Sequence, residues 1–305
     1  MKPTLRRFPF NAMGSFCEIQ IFDESRIHAK KIAHQLSAEV SRLELKYSRF
    51  RDDSLLTQIN NSAGNQTGIK IDSETQSLLE HALNCFEQSN GLFDITSGAL
   101  QKIWDFKKGI IPSQSQIDKV LPLVDFHKVS WKNSYLFMPQ GMQIDFGGIV
   151  KEYAADSTAR LGKSLGIQYG LVNLGGDFSV IGPQPDNKPW PIGVSNPKRK
   201  HSPIATINLL NGGLASSGDY ERFFMHEGKR YSHILNPKTG WPNSGLRAVS
   251  IAANLCTVAG SIATIAMLLN EEDAKAWLQD SAFPHVYMDS EENVSGFALK
   301  EGALN

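Results

Sequence analysis

Gln168-Tyr-Gly-Leu-Val-Asn-Leu-Gly-Gly-Asp-Phe-Ser-Val-Ile181 holds two apolar runs, Gln168–Asn173 and Phe178–Ile181, joined through Gly175-Gly176-Asp177. So short a link closes an antiparallel hairpin, because parallel neighbours need a crossover of roughly a dozen residues or more. On its N-terminal side a helix is predicted from about Ile149 to Leu165, after hairpin-like strands near Lys128–Trp131, Tyr135–Met138 and Met142–Phe146. Phe16-Cys-Glu-Ile-Gln-Ile-Phe22 alternates apolar and polar residues as a half-buried strand does. A helix follows from about Ile27 to Lys46 with Ile32, Leu36, Val40 and Leu43 on one face. A second begins at Ser73 and runs to about Gln88, with Leu78, Leu79, Ala82, Leu83 and Phe86 inward, and Asn90-Gly91 ends it. Arg49 to Gly68 reads as a polar surface connection and Asp105 to Lys128 as an irregular excursion. The last third alternates short strands (Ile204–Leu209, Glu221–Phe224, Arg230–Leu235, Ala248–Ala252) before helices near Cys256–Leu269 and Glu271–Asp280. Strands interleaved with helices without a regular βαβ repeat predict an α+β fold with largely antiparallel sheets and packed helices.

The composition narrows the function classes. The 305 residues include 41 % hydrophobic ones, enough for a sizeable core. Lys plus Arg equals Asp plus Glu at 31 each, so no global basic field holds nucleic acid or an anionic membrane surface, and any phosphate site must be local. Cys17, Cys85 and Cys256 are odd in number and sit in apolar runs, as buried thiols do rather than a disulfide or zinc framework. The N-terminal Met1-Lys-Pro-Thr-Leu-Arg-Arg-Phe-Pro-Phe lacks the apolar run of ~7–15 residues of a signal peptide. No following cysteine makes a lipobox, and no stretch approaches ~20 apolar residues, so a cytoplasmic chain without a membrane span is expected.

Several segments suit chemistry. Gln143-Ile-Asp-Phe-Gly-Gly-Ile-Val-Lys-Glu-Tyr153 sets a strand-end carboxylate, Asp145, beside two glycines at a helix entrance. Free amides there attract anions, and the bland alternative is a tight turn. Lys151, one turn in, either meets a phosphate or pairs with Asp145. Leu174-Gly-Gly-Asp177 repeats the pattern but reads first as a simple hairpin or bulge needing positive φ, and Asn90-Gly-Leu-Phe-Asp94 is a third small-residue turn ending in a carboxylate. Tyr231-Ser-His-Ile-Leu-Asn-Pro-Lys-Thr-Gly-Trp-Pro242 runs a strand histidine into a turn whose amides and threonine hydroxyl suit phosphate oxygens. Histidine transfers protons near neutral pH, although a lone strand histidine is more often structural. In the helix from Cys256, Thr257, Gly260, Ser261 and Thr264 form a stripe of small or hydroxylated residues, open to a ligand or to close helix packing.

Taken in order, Ala12-Met-Gly-Ser15, Gly91-Leu-Phe-Asp-Ile-Thr-Ser-Gly98, Ile144-Asp-Phe-Gly-Gly-Ile-Val-Lys151, Asn173-Leu-Gly-Gly-Asp177 and Ser232 to Gly240 resemble the FAD:protein FMN transferase family, ApbE, over nearly the whole chain. The resemblance implies a single ApbE-like, T-fold-related unit over residues 1–305. It also implies an Mg²⁺-dependent enzyme that splits FAD and moves FMN, as a phosphoester, onto a threonine or serine of an acceptor flavoprotein. By the same resemblance Met13 lines the isoalloxazine site, and Phe50 stands where an aromatic stacks on FAD. Leu92, Phe93 and Asp94 border the adenine side, Asp145, Lys151 and Leu235 touch the cofactor, and His233 is the base. The Gly148 carbonyl and the Thr264 hydroxyl are implied metal ligands.

Two residues depart from the family's pattern. Gly260 stands where the Asp-x-x-x-Thr metal motif has its aspartate, and Asn236 replaces a common aspartate before the proline. The first removes the strong anionic ligand of that helix, with water expected to fill the place. It leaves two alternatives to transfer: an FAD-binding protein with weakened or lost activity, and an FAD pyrophosphatase giving FMN and AMP.

Overall fold

The computed structural model describes residues 2–195, 203–220 and 223–300. The chain opens with a hairpin, β1 (Thr4–Ala12) and β2 (Ser15–Asp23), paired from Thr4 with Asp23 to Ala12 with Ser15. Next come α1 (Arg26–Tyr47), α2 (Leu55–Asn61), β3 (Ile69–Lys70) and α3 (Ser73–Gln88). A 3-10 turn over Ile95–Lys102, α4 (Gln114–Val120), β4 (Ser130–Lys132) and β5 (Tyr135–Phe137) lead to α5 (Val150–Ser164). Then follow β6 (Gly170–Leu174), β7 (Asp177–Gly182), β8 (Trp190–Val194), β9 (Ala205–Leu209), β10 (Gly213–Gly218), β11 (Phe223–His226) and β12 (Lys229–Ser232). The C-terminal part holds β13 (Ala248–Ala253), α6 (Cys256–Leu268), α7 (Glu271–Asp280), β14 (His285–Met288), β15 (Val294–Ser295) and α8 (Phe297–Lys300).

The main sheet has the order β1-β2-β6-β7-β10-β13-β14-β15, and its ladders are antiparallel. Because side chains alternate across a strand, its two faces carry different cores. Ile19, Val172, Ile181, Ala215 and Ile251 face α1, α5 and α6, whose apolar stripes close the principal core. Leu171, Val180, Leu214 and Ala252 face the other way, onto the β8–β9 hairpin with Trp190 and Ile207. Burying a side chain of this size stabilises by about 1.5–3 kcal/mol. A third cluster gathers Leu100, Trp104 and Leu235 with Phe106, Tyr231 and Trp241 around them.

The α+β reading, the central hairpin and the main helices stand as read from the sequence. Four local readings change. Met142–Phe146 forms no strand, although Met142, Ile144 and Phe146 are buried: its backbone is tied to other segments, with Asp145 N–H bonded to the Ile95 carbonyl at 2.8 Å. Arg49–Gly68 is no mere surface connection, since α2 lies inside it, capped by the Ser54 hydroxyl and burying Leu56 and Ile59. Asp105–Lys128 contains α4, with a Ser113/Gln116 capping box. The strand read from Glu221 begins at Phe223, Glu221 itself lying outside the described residues. Cys17, Cys85 and Cys256 are free and buried, as expected. Among the described residues no helix is long and apolar enough to cross a membrane.

Candidate functional site

Two hairpin tips meet at one end of the sheet. Met13-Gly14 turns β1 into β2 with φ of 51° and 69°, and the Met13 N–H donates to Glu44 Oε1 at 2.7 Å. Gly175-Gly176 turns β6 into β7 with φ of 65° and 98°, the left-handed region that glycine enters freely. A Cβ on Gly175 would stand 2.6 Å from Ser15 Cβ and 3.8 Å from Lys151 Nζ, so the two tips and the lysine are neighbours. Lys151 Nζ lies 2.9 Å from Asp177 Oδ2, and Asp177 is only 1 % exposed. The sequence left Lys151 to meet a phosphate or to pair with Asp145; the structure sets it beside the buried Asp177 carboxylate. Asp145 instead accepts from Arg49 Nη1 at 2.8 Å and Gln101 Nε2 at 2.9 Å. The Arg49 guanidinium lies 4.7 Å from the centre of the Phe50 ring, which is 83 % exposed and free to stack on a planar partner.

The helix entrance at Gly147-Gly148 is less open to anions than the sequence implied. Gly147 N–H donates to Asp145 Oδ1 at 2.9 Å, and the Ile149 and Val150 amides both go to the Phe146 carbonyl. What is left open is a carbonyl. The α5 ladder starts from the Ile149 carbonyl, and among the described residues no backbone N–H is bonded to that of Gly148. A Cβ at Gly148 would lie 3.9 Å from Thr264 Cγ2 and 3.7 Å from Phe93 Cζ, so the three residues are adjacent.

Leu92, Phe93 and Asp94 follow the Asn90-Gly91 turn. Phe93 is buried, and Asp94 caps the following 3-10 turn by accepting from Thr96 N at 2.7 Å, Thr96 Oγ1 at 2.6 Å and Phe126 N at 3.2 Å. Burial pushes the Asp94 carboxyl above its usual range despite these donors. Asn90, Gly91 and Asp94 line a groove of about 640 Å³ with Pro237 and Lys238 across it. The turn amides at 237–240 do not stand ready for phosphate. Lys238 N–H goes to Asn236 Oδ1 at 2.9 Å, Gly240 N–H to the Asn236 carbonyl at 2.8 Å, and Thr239 Oγ1 accepts from Trp241 N at 3.3 Å. His233 leaves the end of β12 half-buried. Asn243 holds this segment to the end of α6: its N–H donates to the Ile234 carbonyl, and its side-chain amide donates to those of Met267 at 2.9 Å and Leu269 at 2.7 Å. Leu235 is buried beneath the turn in the aromatic cluster.

Where α5 meets α6 the small-residue stripe is used for packing. Asp156 Oδ1 accepts from Cys256 N and Ser179 Oγ, each at 2.9 Å. Its Oδ2 accepts from Thr257 N at 2.9 Å and Thr257 Oγ1 at 2.7 Å. It thereby caps α6 from a neighbouring helix, in the place where Leu255 provides no cap of its own. Ser261 Oγ meets His81 Nε2 at 2.8 Å. At Gly260, an added Cβ would lie 2.5 Å from Glu152 Cγ and 2.9 Å from Glu152 Cδ and Oε1. Glu152, not an open place for water, occupies the space a side chain at 260 would take. The residue is 8 % exposed, its carboxyl Oε2 is buried with no hydrogen-bond partner, and burial first, then Asp177, pushes the carboxyl up to about 8.

Residues 13–287 match the model of the ApbE family, which covers most of the chain. The chain belongs to the ApbE family. It is similar to the FAD:protein FMN transferases of Treponema pallidum (29 % identical, covering 90 % of this chain and 81 % of the relative) and Escherichia coli K12 (27 %, 93 % and 83 %). Its backbone is similar to that of the ApbE protein of Thermotoga maritima, at TM-score 0.90 and 28 % identity over 98 % of both chains. The Pseudomonas stutzeri flavinyl transferase ApbE follows at TM-score 0.85 and 25 % identity, covering 97 % of this chain and 95 % of its own. Within this ApbE fold Met13, Phe93, Asp145, Gly148 and Lys151 sit on turns and loops and at the start of α5, and Thr264 lies within α6 beside Phe93 and Gly148. Glu152, Asp156 and Asn243 were not singled out from the sequence, because each acts across a tertiary contact that leaves no local signature.

Proposed function

We propose that the chain cleaves FAD and transfers FMN through a phosphoester to a threonine or serine of an acceptor flavoprotein. What carries this reading is a match over nine-tenths of the chain to a protein named FAD:protein FMN transferase, with His233 leading into the turn whose Pro237 and Lys238 face the Asn90–Asp94 segment. In the proposed step the acceptor hydroxyl oxygen bonds to the FMN phosphorus, the phosphoanhydride bond breaks, and AMP leaves with the bonding electrons. His233 takes the hydroxyl proton. Lys151 offsets phosphate charge from its place beside Asp177, while Met13 and Phe50 hold the isoalloxazine. The backbone of Leu92–Asp94 borders the adenine, and Leu235 supports the turn from below. The open Gly148 carbonyl and the Thr264 hydroxyl are hard oxygen donors that fit Mg²⁺, which would complete its shell with phosphate and water oxygens. When bound it supplies neutralisation of phosphate charge.

The test incubates the protein with FAD and a threonine-containing acceptor, with Mg²⁺ or EDTA, and follows AMP and flavinylated acceptor. Metal-dependent release of AMP with labelled acceptor is expected. His233→Ala should slow transfer by about 10²- to 10⁴-fold while FAD binding is kept; unchanged transfer would remove the histidine from this role. A second reading, FAD binding with transfer weakened, is favoured by Gly260, and FMN plus AMP without labelled acceptor would point to hydrolysis instead.

A further inference from the structure

The geometry points to Glu152 of α5 as the carboxylate ligand of the divalent cation, standing in for the one that α6 lacks at Gly260. This rests on the proposed metal-dependent reading. Gly260 and Glu152 compete for one volume: a Cβ at 260 and the Glu152 Cγ would be 2.5 Å apart, far inside van der Waals contact. Only one of these two positions can carry a side chain there, and in this chain the helix that carries it is α5. Gly260 lies one helical turn before Thr264, and Thr264 is against Gly148, whose carbonyl is unclaimed by the α5 ladder. Glu152 lies one turn after Gly148. The two contacts set Glu152, Thr264 and Gly148 along one α5–α6 interface, each within a helical turn of the next.

A ligand also explains what packing does not. Glu152 is more than nine-tenths buried, yet its Oε2 finds no donor, although Asp156 one turn on satisfies both of its oxygens. A buried carboxylate oxygen left unpaired is costly unless a cation completes it or a proton neutralises it, and a proton is what a bound metal ion would displace. Among the described residues no three of His, Cys, Asp and Glu gather as a metal site, so one carboxylate with neutral oxygens is the donor set on offer. Such a set suits a cation that keeps waters and shares phosphate oxygens.

The test uses Mn²⁺ as a spectroscopic stand-in, with free Mn²⁺ counted by electron paramagnetic resonance against the full-length protein saturated with FAD. FAD binding is measured separately by flavin fluorescence in EDTA. Glu152→Gln keeps the shape and removes the charge. It should weaken Mn²⁺ binding at least about tenfold, the scale on which loss of even an outer partner weakens a metal site, with FAD binding in EDTA unchanged. Gly260→Asp alone should bring no gain, whereas Glu152→Gly with Gly260→Asp moves the carboxylate back to α6 and should recover the affinity lost in Glu152→Gly. Mn²⁺ affinity unchanged in Glu152→Gln, with FAD held, would overturn the assignment of Glu152 and leave the metal reading standing. A parent protein that holds FAD but takes up no Mn²⁺ would overturn both.

Discussion

Asp156 and Glu152 lie one turn apart on α5, face the same helix and are both buried, yet they differ in how their charge is met. Asp156 receives four donors from the start of α6 and from β7. Glu152 has the helix backbone at Gly260 against its side chain and one oxygen with no partner. A carboxylate with every lone pair answered by the protein holds the fold together. One left incomplete in the same interface lowers the stability of the empty protein and keeps an oxygen for a ligand. The same division separates Asp94, whose oxygens serve Thr96 and Phe126, from the open Gly148 carbonyl.

The comparison breaks most readily at Asp156. Asp156→Ala leaves the first amides of α6 and the Thr257 and Ser179 hydroxyls without their acceptor, and should cost about 3 kcal/mol or more in urea unfolding. Glu152→Gln in the metal-free protein should change stability by less than about 1 kcal/mol, because no hydrogen bond to the protein is lost at Oε2 and the carboxyl, pushed up to about 8, is largely uncharged near neutral pH. Equal losses at the two sites would erase the distinction. Gly260→Asp should cost about 1–3 kcal/mol by overpacking against Glu152, and adding Glu152→Gly should return most of it. Additive costs in that double variant would show that the two side chains do not share the volume.

The smallest effect concerns a carboxylate satisfied at the surface. Glu74 is held down to about 2, from an ordinary 4.5, by the Arg42 guanidinium first and by Lys46. A carboxyl with its folded value depressed adds stability above about 4.5 that fades as pH falls through about 2. Its partner Arg42 is half exposed and the cluster is screened by solvent, so the contribution is at most about 1 kcal/mol. Glu74→Gln should flatten the loss of stability over that window by this amount in acid titrations followed by circular dichroism, and have no effect on metal uptake.

Much of this was legible before the fold was known. The alternation of Phe16–Phe22, the periodic apolar faces of α1 and α3 and the glycine pair at 175–176 are local signals, since strand, helix and turn preferences act over a few residues. They determined the elements, the antiparallel connection and, through the order of the motifs, the family and the stretches that build the site. The buried strand β8, broken by Pro191 and Gly193, and the short helix α2 carried too few periodic positions to be read that way. Partners were least legible of all. In the sequence Lys151 reads toward a phosphate or toward Asp145, and only the packing of β7 against α5 sets it beside Asp177. Gly260 reads in the sequence as a missing carboxylate. Only the approach of α5 to α6 shows the space already filled, because charge and volume are balanced between neighbours in space, and the chain places those neighbours more than a hundred residues apart.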